Sequence, residues 1–382
     1  MKIDLLYEME MLRPWGPNAE YDCYWEAVEQ IEAADRAGFD TIWEVEHHFL
    51  EEFSHSPAPE VFLSAIAQRT RNIRIGHGVV LLPWKFNHPI RVAERAAVLD
   101  IMSKGRLEFG TGRSSVLEQT GFDMDPTESR AMWQEAVRII PQMWMQERFS
   151  YDGRFYKIPE RPVIPKPVQK PHPPMWVAAT SPETWELAGQ NGLGCLGLTV
   201  WVDLPELQAR MKRYRDAVKN CTPAGAFVNN QVGVFTIAHC APTTAAAVEN
   251  GAVDATMWYV TYVFKALAAI PREMLGKVPG TLPYEDIVKQ FPLIERWDKE
   301  GTVSFDEIDQ RDMVIVGDPD KCIQKLKKYE AAGADHVLCI MQVGGLKHEH
   351  IMKSIELFGK YVIPEFKKAS RTAVERSANP PA

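Results

Sequence analysis

The sequence predicts an α/β fold: a single closed (β/α)8 barrel of the TIM type, with an insertion between its seventh and eighth strands. Three observations predict it. Short apolar runs alternate with helix-period stretches eight times along the chain. The runs are near-continuously apolar, as expected of parallel strands covered on the outside by helices. No GxGxxG follows the first run, so the usual signal of an open dinucleotide-binding sheet is missing. Eight such units over 382 residues favour closure into one barrel.

The units follow in order. "KIDLLYE" (2–8) precedes the amphipathic "YWEAVEQIEAADRAGF" (24–39), and "TIWEVE" (41–46) precedes "PEVFLSAIAQRT" (59–70). "IRIGHGVVLLP" (73–83) leads to "PIRVAERAAVLDIMSKG" (89–105), and "RLEFGTGR" (106–113) to "TESRAMWQEAVRIIPQMW" (127–144). "MWVAAT" (175–180) precedes "PETWELAGQNG", and "CLGLTVW" (195–201) precedes "LPELQARMKRYRDAV". "NQVGVFTIAHC" (230–240) opens a long helical stretch, and "HVLCIMQ" (336–342) leads to "HEHIMKSIELFGKYVIPEF". Residues 1–368 therefore read as one barrel domain. Residues 149–174 hold a hairpin-like start and a proline-rich surface linker. Residues 271–312 mix Gly, Pro and charge and read as a lid insertion. Residues 369–382 read as a disordered tail.

Composition narrows the function. A net charge of −8 argues against a nucleic acid or an acidic membrane as partner. Cys23, Cys195, Cys221, Cys240, Cys322 and Cys339 are scattered, with no CxxC, and read as reduced core residues of a cytoplasmic protein. No run reaches transmembrane length. Acids interrupt the N-terminal "MKIDLLYEMEM", which reads as a strand, not a signal peptide.

Barrel enzymes place their chemistry where strands hand over to helices. Those positions hold Glu46, His47, His48, His77, Gly78, Thr111, Gly112, Arg113, Ser114, Ser115, Thr180, Ser181, Trp201, Gln342, Gly344 and Gly345. The set contains a histidine able to move protons near neutral pH and an arginine beside hydroxyls. "GTGRSS" lacks the GxSxG nucleophile frame. Adjacent strand histidines point to opposite faces and make poor metal ligands, so no metal is expected. "HEH" (348–350) opens a helix and reads as surface.

Several separated motifs resemble the bacterial luciferase-like flavin-dependent monooxygenases. "WEVEHHF" (43–49), "HPIRVAERAAVLDIMSKGRLEFGTGR" (88–113), "GFDMDPTESRAM" (121–132), "QKPHPPMWVAATSPET" (169–184) and "VGDPDKCIQKLKKYEAAGADHVLC" (316–339) stand in that family's order. The resemblance implies a barrel that binds reduced FMN, supplied by a separate flavin reductase. It further implies reaction with O2 to a flavin 4a-hydroperoxide, which oxygenates a small organic substrate. A homodimer is expected. Arg113 and Arg130 occupy the family's phosphate positions, and arginine suits a phosphate. Thr180 and Ser181 add donors at a helix start. The generic barrel phosphate site, here Gly344–Gly345, is the competing placement.

His47 matches the family's proton-managing histidine. Glu46 is either its orienting group or a structural ion-pair partner, and His48 turns into the structure. Gly78–Val79 matches a non-proline cis peptide under the flavin ring, a bond costing about 3–4 kcal/mol. Trp258 and Tyr259 resemble an aromatic pair closing the substrate pocket; a helix core stripe is the other reading. Gly112 stands where luciferase has a reactive cysteine, so light emission does not follow. Three rival readings are a deazaflavin-dependent dehydrogenase of the same fold, a non-catalytic FMN-binding accessory protein, and a barrel hydrolase using Glu46 with Glu44 or Glu108.

Overall fold

The computed structural model describes residues 1–199, 202–268, 283–289 and 292–367. The strands are β1 (Lys2–Tyr7), β2 (Thr41–Glu44), β3 (Arg74–His77), β4 (Val80–Leu81), β5 (Leu107–Gly112), β6 (Phe149–Asp152), β7 (Lys157–Arg161), β8 (Met175–Ala179), β9 (Gly194–Leu198), β10 (Val232–Cys240), β11 (Ile315–Gly317) and β12 (His336–Ile340). β1, β2, β3, β5, β8, β9, β10 and β12 pair in parallel in that order, and β12 returns to β1. The eight-stranded barrel is closed, and β1 stands across it from β8.

The helices are α1 (Ala19–Ala37), α2 (Pro59–Arg69), α3 (Pro89–Met102), α4 (Val116–Gly121), α5 (Ser129–Met145), α6 (Pro182–Gln190), α7 (Leu204–Val218), α8 (Thr244–Glu249), α9 (Ala252–Ala268), α10 (Tyr284–Val288), α11 (Pro292–Glu300), α12 (Phe305–Asp309), α13 (Pro319–Ala332) and α14 (His348–Leu357). Their limits follow local chemistry. Proline opens α2, α3, α6, α7 and α13, where its missing N–H costs nothing. Asp203 and Asp318 cap α7 and α13 through their side chains.

The barrel interior is stacked in layers. Low in it, Asp4 accepts from Trp43 Nε1 (2.9 Å) and pairs with His336 Nδ1 (2.8 Å), while Trp176 Nε1 donates to Glu108 (2.7 Å). The two indoles meet edge to face, and Gly76 leaves room for Trp43, since any Cβ there would overlap its ring. Above them Leu6, Leu196, Phe235 and Leu338 form the apolar floor of a cavity at the carboxyl ends of the strands. The eight predicted strands and their helices are all present.

Two parts correct the sequence reading. The hairpin-like start of 149–174 is present, with β6 and β7 paired antiparallel, but the proline-rich stretch after it is not a surface linker, since Val163 and His172 are buried. Gln169 ties the segment to Asp100 and to the Leu107 carbonyl. The insertion after β10 is not structureless where it is described: α10, α11 and α12 bury Val288, Ile294 and Ile308 in a second apolar cluster. It also carries β11, which extends the sheet beside the end of β10. The rest of the expected lid, 271–282 and 290–291, lies outside the described residues, as do Trp201 and the tail 369–382.

Candidate active site at the carboxyl ends of the strands

The cavity encloses about 230 Å³ and draws on every barrel strand. Its wall includes Glu8, Glu46, His47, Gly78, Val79, Arg113, Ser115, Thr180 and Thr184. Non-glycine residues with positive φ stand at three of the loops that reach it: Met9 (56°), Phe49 (64°) and Ser114 (69°). Such backbone is sparsely populated and concentrates at functional sites.

β2 ends in a loop fixed by Ser56, whose hydroxyl bonds Glu44 and the Val45 carbonyl, while His47 N–H donates to the Ser56 carbonyl (3.0 Å). The His47 ring is a quarter exposed and donates through Nδ1 to Glu118 Oε1 at 3.0 Å. Glu118 is fully buried. It also accepts from His48 N–H (2.8 Å), Ser115 N–H (3.1 Å) and the Ser115 hydroxyl (2.7 Å). Burial works against charge on both partners, but their mutual attraction wins. His47 is pushed up to about 9 by Glu118, and Glu118 is held down at about 2 by His47 and its hydroxyl donors. The pair is therefore ionised at neutral pH. Nδ1 carries the shared proton, and Nε2 has no protein partner among the described residues.

The β5 side differs. Arg113 is half-buried, and its side-chain partner is the neutral Ser129 hydroxyl at 3.2 Å. Burial and the neighbouring charge of Arg130 lower it to about 10. Neither arginine forms an ion pair among the described residues. Arg113 lines the cavity with the like charge of Arg130 near it, an arrangement that an anion would relieve. Ser181 caps the start of α6, and its hydroxyl pairs with Thr184 (3.1 Å); Thr180 and Thr184 face the cavity.

A family model described as "Luciferase-like monooxygenase" matches residues 12–336. The chain belongs to the luciferase-like monooxygenase family. It is an oxidoreductase of the flavin-dependent monooxygenase kind. It is 28% identical over 374 residues to the oxygenase component of a flavin-dependent trigonelline monooxygenase from Acinetobacter baylyi, covering 97% of this chain and 96% of that one. Two solved structures share the fold. One is the oxygenating constituent of 3,6-diketocamphane monooxygenase from Pseudomonas putida, in complex with FMN (TM-score 0.73, 19% identity, 96% of this chain and 98% of that one). The other is an F420-dependent secondary alcohol dehydrogenase (TM-score 0.67, 17% identity, 94% and 98%). No helix among the described residues is long and apolar enough to cross a membrane.

Within this luciferase-like site, several expectations change. Glu118, not Glu46, orients His47. Glu46 instead accepts from Leu81 N–H (2.7 Å) and Asn87 (2.8 Å) and reaches His48 Nε2 (3.4 Å). The Gly78–Val79 bond is trans, and the cis bonds among described residues all precede proline. Around it Gly78 N–H donates to the Glu44 carbonyl (2.7 Å) and Leu82 N–H to the Gly112 carbonyl (3.1 Å). A side chain at Gly112 would overlap Val79, so the cysteine of luciferase has no room here. Gly344 N–H is already held by the Glu10 side chain at 2.6 Å, so this donor is not free for a phosphate at the competing site. Trp258 and Tyr259 do not line the cavity. Tyr259 reaches it through its hydroxyl on Glu8 (3.0 Å), and Trp258 packs on Tyr262.

Sequence reasoning missed Glu118, Thr184 and Glu8. Glu118 had a signal: "SVLE" (115–118) is a capping box placed directly after a strand. Glu8 stood in "YEMEM", where acids interrupt an apolar run that ends a strand.

Proposed function

We propose that this chain is the oxygenase component of a two-component system that uses reduced FMN and O2 to oxygenate a small organic substrate. One observation carries the reading. A half-buried arginine without an acidic partner and a histidine ion-paired to a buried glutamate line one cavity over an apolar floor. Arg113, with Arg130 beside it, would hold the FMN phosphate, and Thr180, Ser181 and Thr184 would add donors at the start of α6. Gly78 and Val79 leave space for a flat ring. Bound reduced FMN supplies the electrons that activate O2. His47 keeps a proton at hand at the cavity wall, Glu118 fixes its orientation, and Leu6, Leu196 and Leu338 exclude water.

A separate reductase fits this reading, because the trigonelline relative is itself named an oxygenase component. Exposed Trp25 and Val61, beside an apolar groove on the α1–α2 face, suit a second copy of the chain as partner. Cytoplasmic residence agrees with six free thiols.

The test is an equilibrium titration with reduced FMN, oxidised FMN and F420. Reduced FMN should bind most tightly, and Arg113→Ala should weaken it by about 1.5–3 kcal/mol, the loss of one charged hydrogen bond. Tighter binding of F420, or an unchanged affinity in Arg113→Ala, would remove the cofactor assignment.

A further inference from the structure

Across the barrel from Thr180, beyond the end of β1, Glu8 faces the cavity with only half of its carboxyl in use. Its side chain is 3% exposed. Oε1 accepts from Tyr259 Oη at 3.0 Å, whereas Oε2 is buried and has no partner among the described residues. Such an oxygen is costly to leave unsatisfied, and the Glu8 side chain that carries it lines a cavity floored by Leu6, Leu338 and Phe235.

Two neighbouring acids show why Glu8 is the one that matters. Glu10 and Glu44 also keep one oxygen without a partner, but their other oxygens are tied to Gly344 N–H and the Ser56 hydroxyl, and neither lines the cavity. Burial, with the charge of Glu8 adding to it, raises both well above the ordinary carboxylate range. Glu8 is raised to about 7 by burial and by Glu118, against the opposing pull of His47 and the Tyr259 bond. The charged or titratable groups facing it are thus His47, Glu118, Glu44, Glu10 and Tyr259. His47 and Glu118 cancel as a pair. Among the described residues, no three acids, histidines or cysteines are arranged to hold a metal ion.

We propose that Glu8 anchors the substrate, and that the substrate class it selects carries a protonated nitrogen with a free N–H. A cation at Oε2 satisfies the open oxygen and stabilises the carboxylate that burial alone disfavours. A neutral alcohol satisfies the oxygen but leaves the charge buried and uncompensated. The inference rests on reading this cavity as the flavin and substrate site.

The experiment is calorimetric titration of the full chain with benzylamine, a cation below about pH 8, and with benzyl alcohol as its neutral counterpart. Benzylamine should bind more tightly, and its affinity should rise about tenfold between about pH 6 and pH 8 as Glu8 ionises. The alcohol should show no such rise. In Glu8→Gln the preference and the rise should both vanish. If that variant does not fold, the wild-type pH dependence still decides. Equal affinities, no binding of either probe, a flat pH dependence, or a cation preference that survives Glu8→Gln each overturn the proposal. Titration of the same proteins with reduced FMN separates the two readings. Loss of FMN binding with the benzylamine preference intact would sink the cofactor and leave the anchor.

Discussion

On the β5–β8 side of the cavity Arg113 is half-buried with one neutral hydroxyl as partner, whereas on the β1–β2 side His47 meets a carboxylate that accepts from four donors. Both sides place a cation in a poorly solvated wall. The electrostatic outcome differs because one cation is compensated within the protein and the other is not. Arg113 is lowered to about 10 and is answered only when an anion arrives, which suits a binding group. His47 is raised to about 9 and keeps its proton through neutral pH, which suits a group that stores and places one. Exchanging these environments would exchange the roles.

The sharpest way to break the comparison is His47→Ala. Its phosphate side should be untouched, so reduced-FMN affinity should stay within about twofold of wild type, while product per O2 consumed should fall by about 10²–10⁴-fold, as for loss of a general acid–base group. The missing product should reappear as hydrogen peroxide, measured by a coupled assay beside oxygen consumption. Undiminished product yield would return His47 to rim packing.

A middle-sized effect is expected for Glu118→Gln. Without the carboxylate, burial is opposed on His47 only by the smaller effects of Glu8 and Glu46, and its pKa should fall from about 9 by at least ~2 units, read from its imidazole resonances in an NMR titration. Stability should change with it. The raised His47 value contributes stability that is complete below its ordinary 6.5 and lost as pH rises through about 9. The lowered Glu118 value contributes stability that is complete above its ordinary 4.5 and lost as pH falls through about 2. Denaturant midpoints of the wild type should therefore decline on both flanks of that window. In Glu118→Gln both flanks should flatten, and a profile that keeps its wild-type shape would show that the pair is not what holds the proton.

The same contrast explains how much was legible before the structure. The barrel was readable throughout, because strand and helix periods are local, and each of the eight units carries its own apolar run. Arg113, Thr180 and His47 were readable because they end strands, and a barrel turns strand ends into a site. Glu118 was not. It lies 71 residues from His47, on a six-residue helix that no periodicity announces, and only the closure of β2 against its neighbours brings the two together. Glu46 stood next to His47 in sequence and was weighed as its partner for that reason, but neighbours along an extended segment point apart.

The smallest expected effect tests whether Glu118 holds His47 through its own charge or through the cap that positions it. Ser115 opens α4, donating its hydroxyl to Glu118 Oε2 at 2.7 Å and accepting Glu118 N–H at 3.4 Å. Ser115→Ala removes both bonds but leaves the carboxylate with His47 Nδ1, His48 N–H and Ser115 N–H. The loss should resemble that of an ordinary helix cap, about 1 kcal/mol in a urea titration. Since the charge stays in place, the His47 pKa should move by less than ~1 unit, well short of the change in Glu118→Gln. The two variants thus separate position from charge. A His47 shift in Ser115→Ala as large as that in Glu118→Gln would mean that the cap sets the geometry on which the pairing depends, and the β1–β2 side would then owe its proton to the turn after β5.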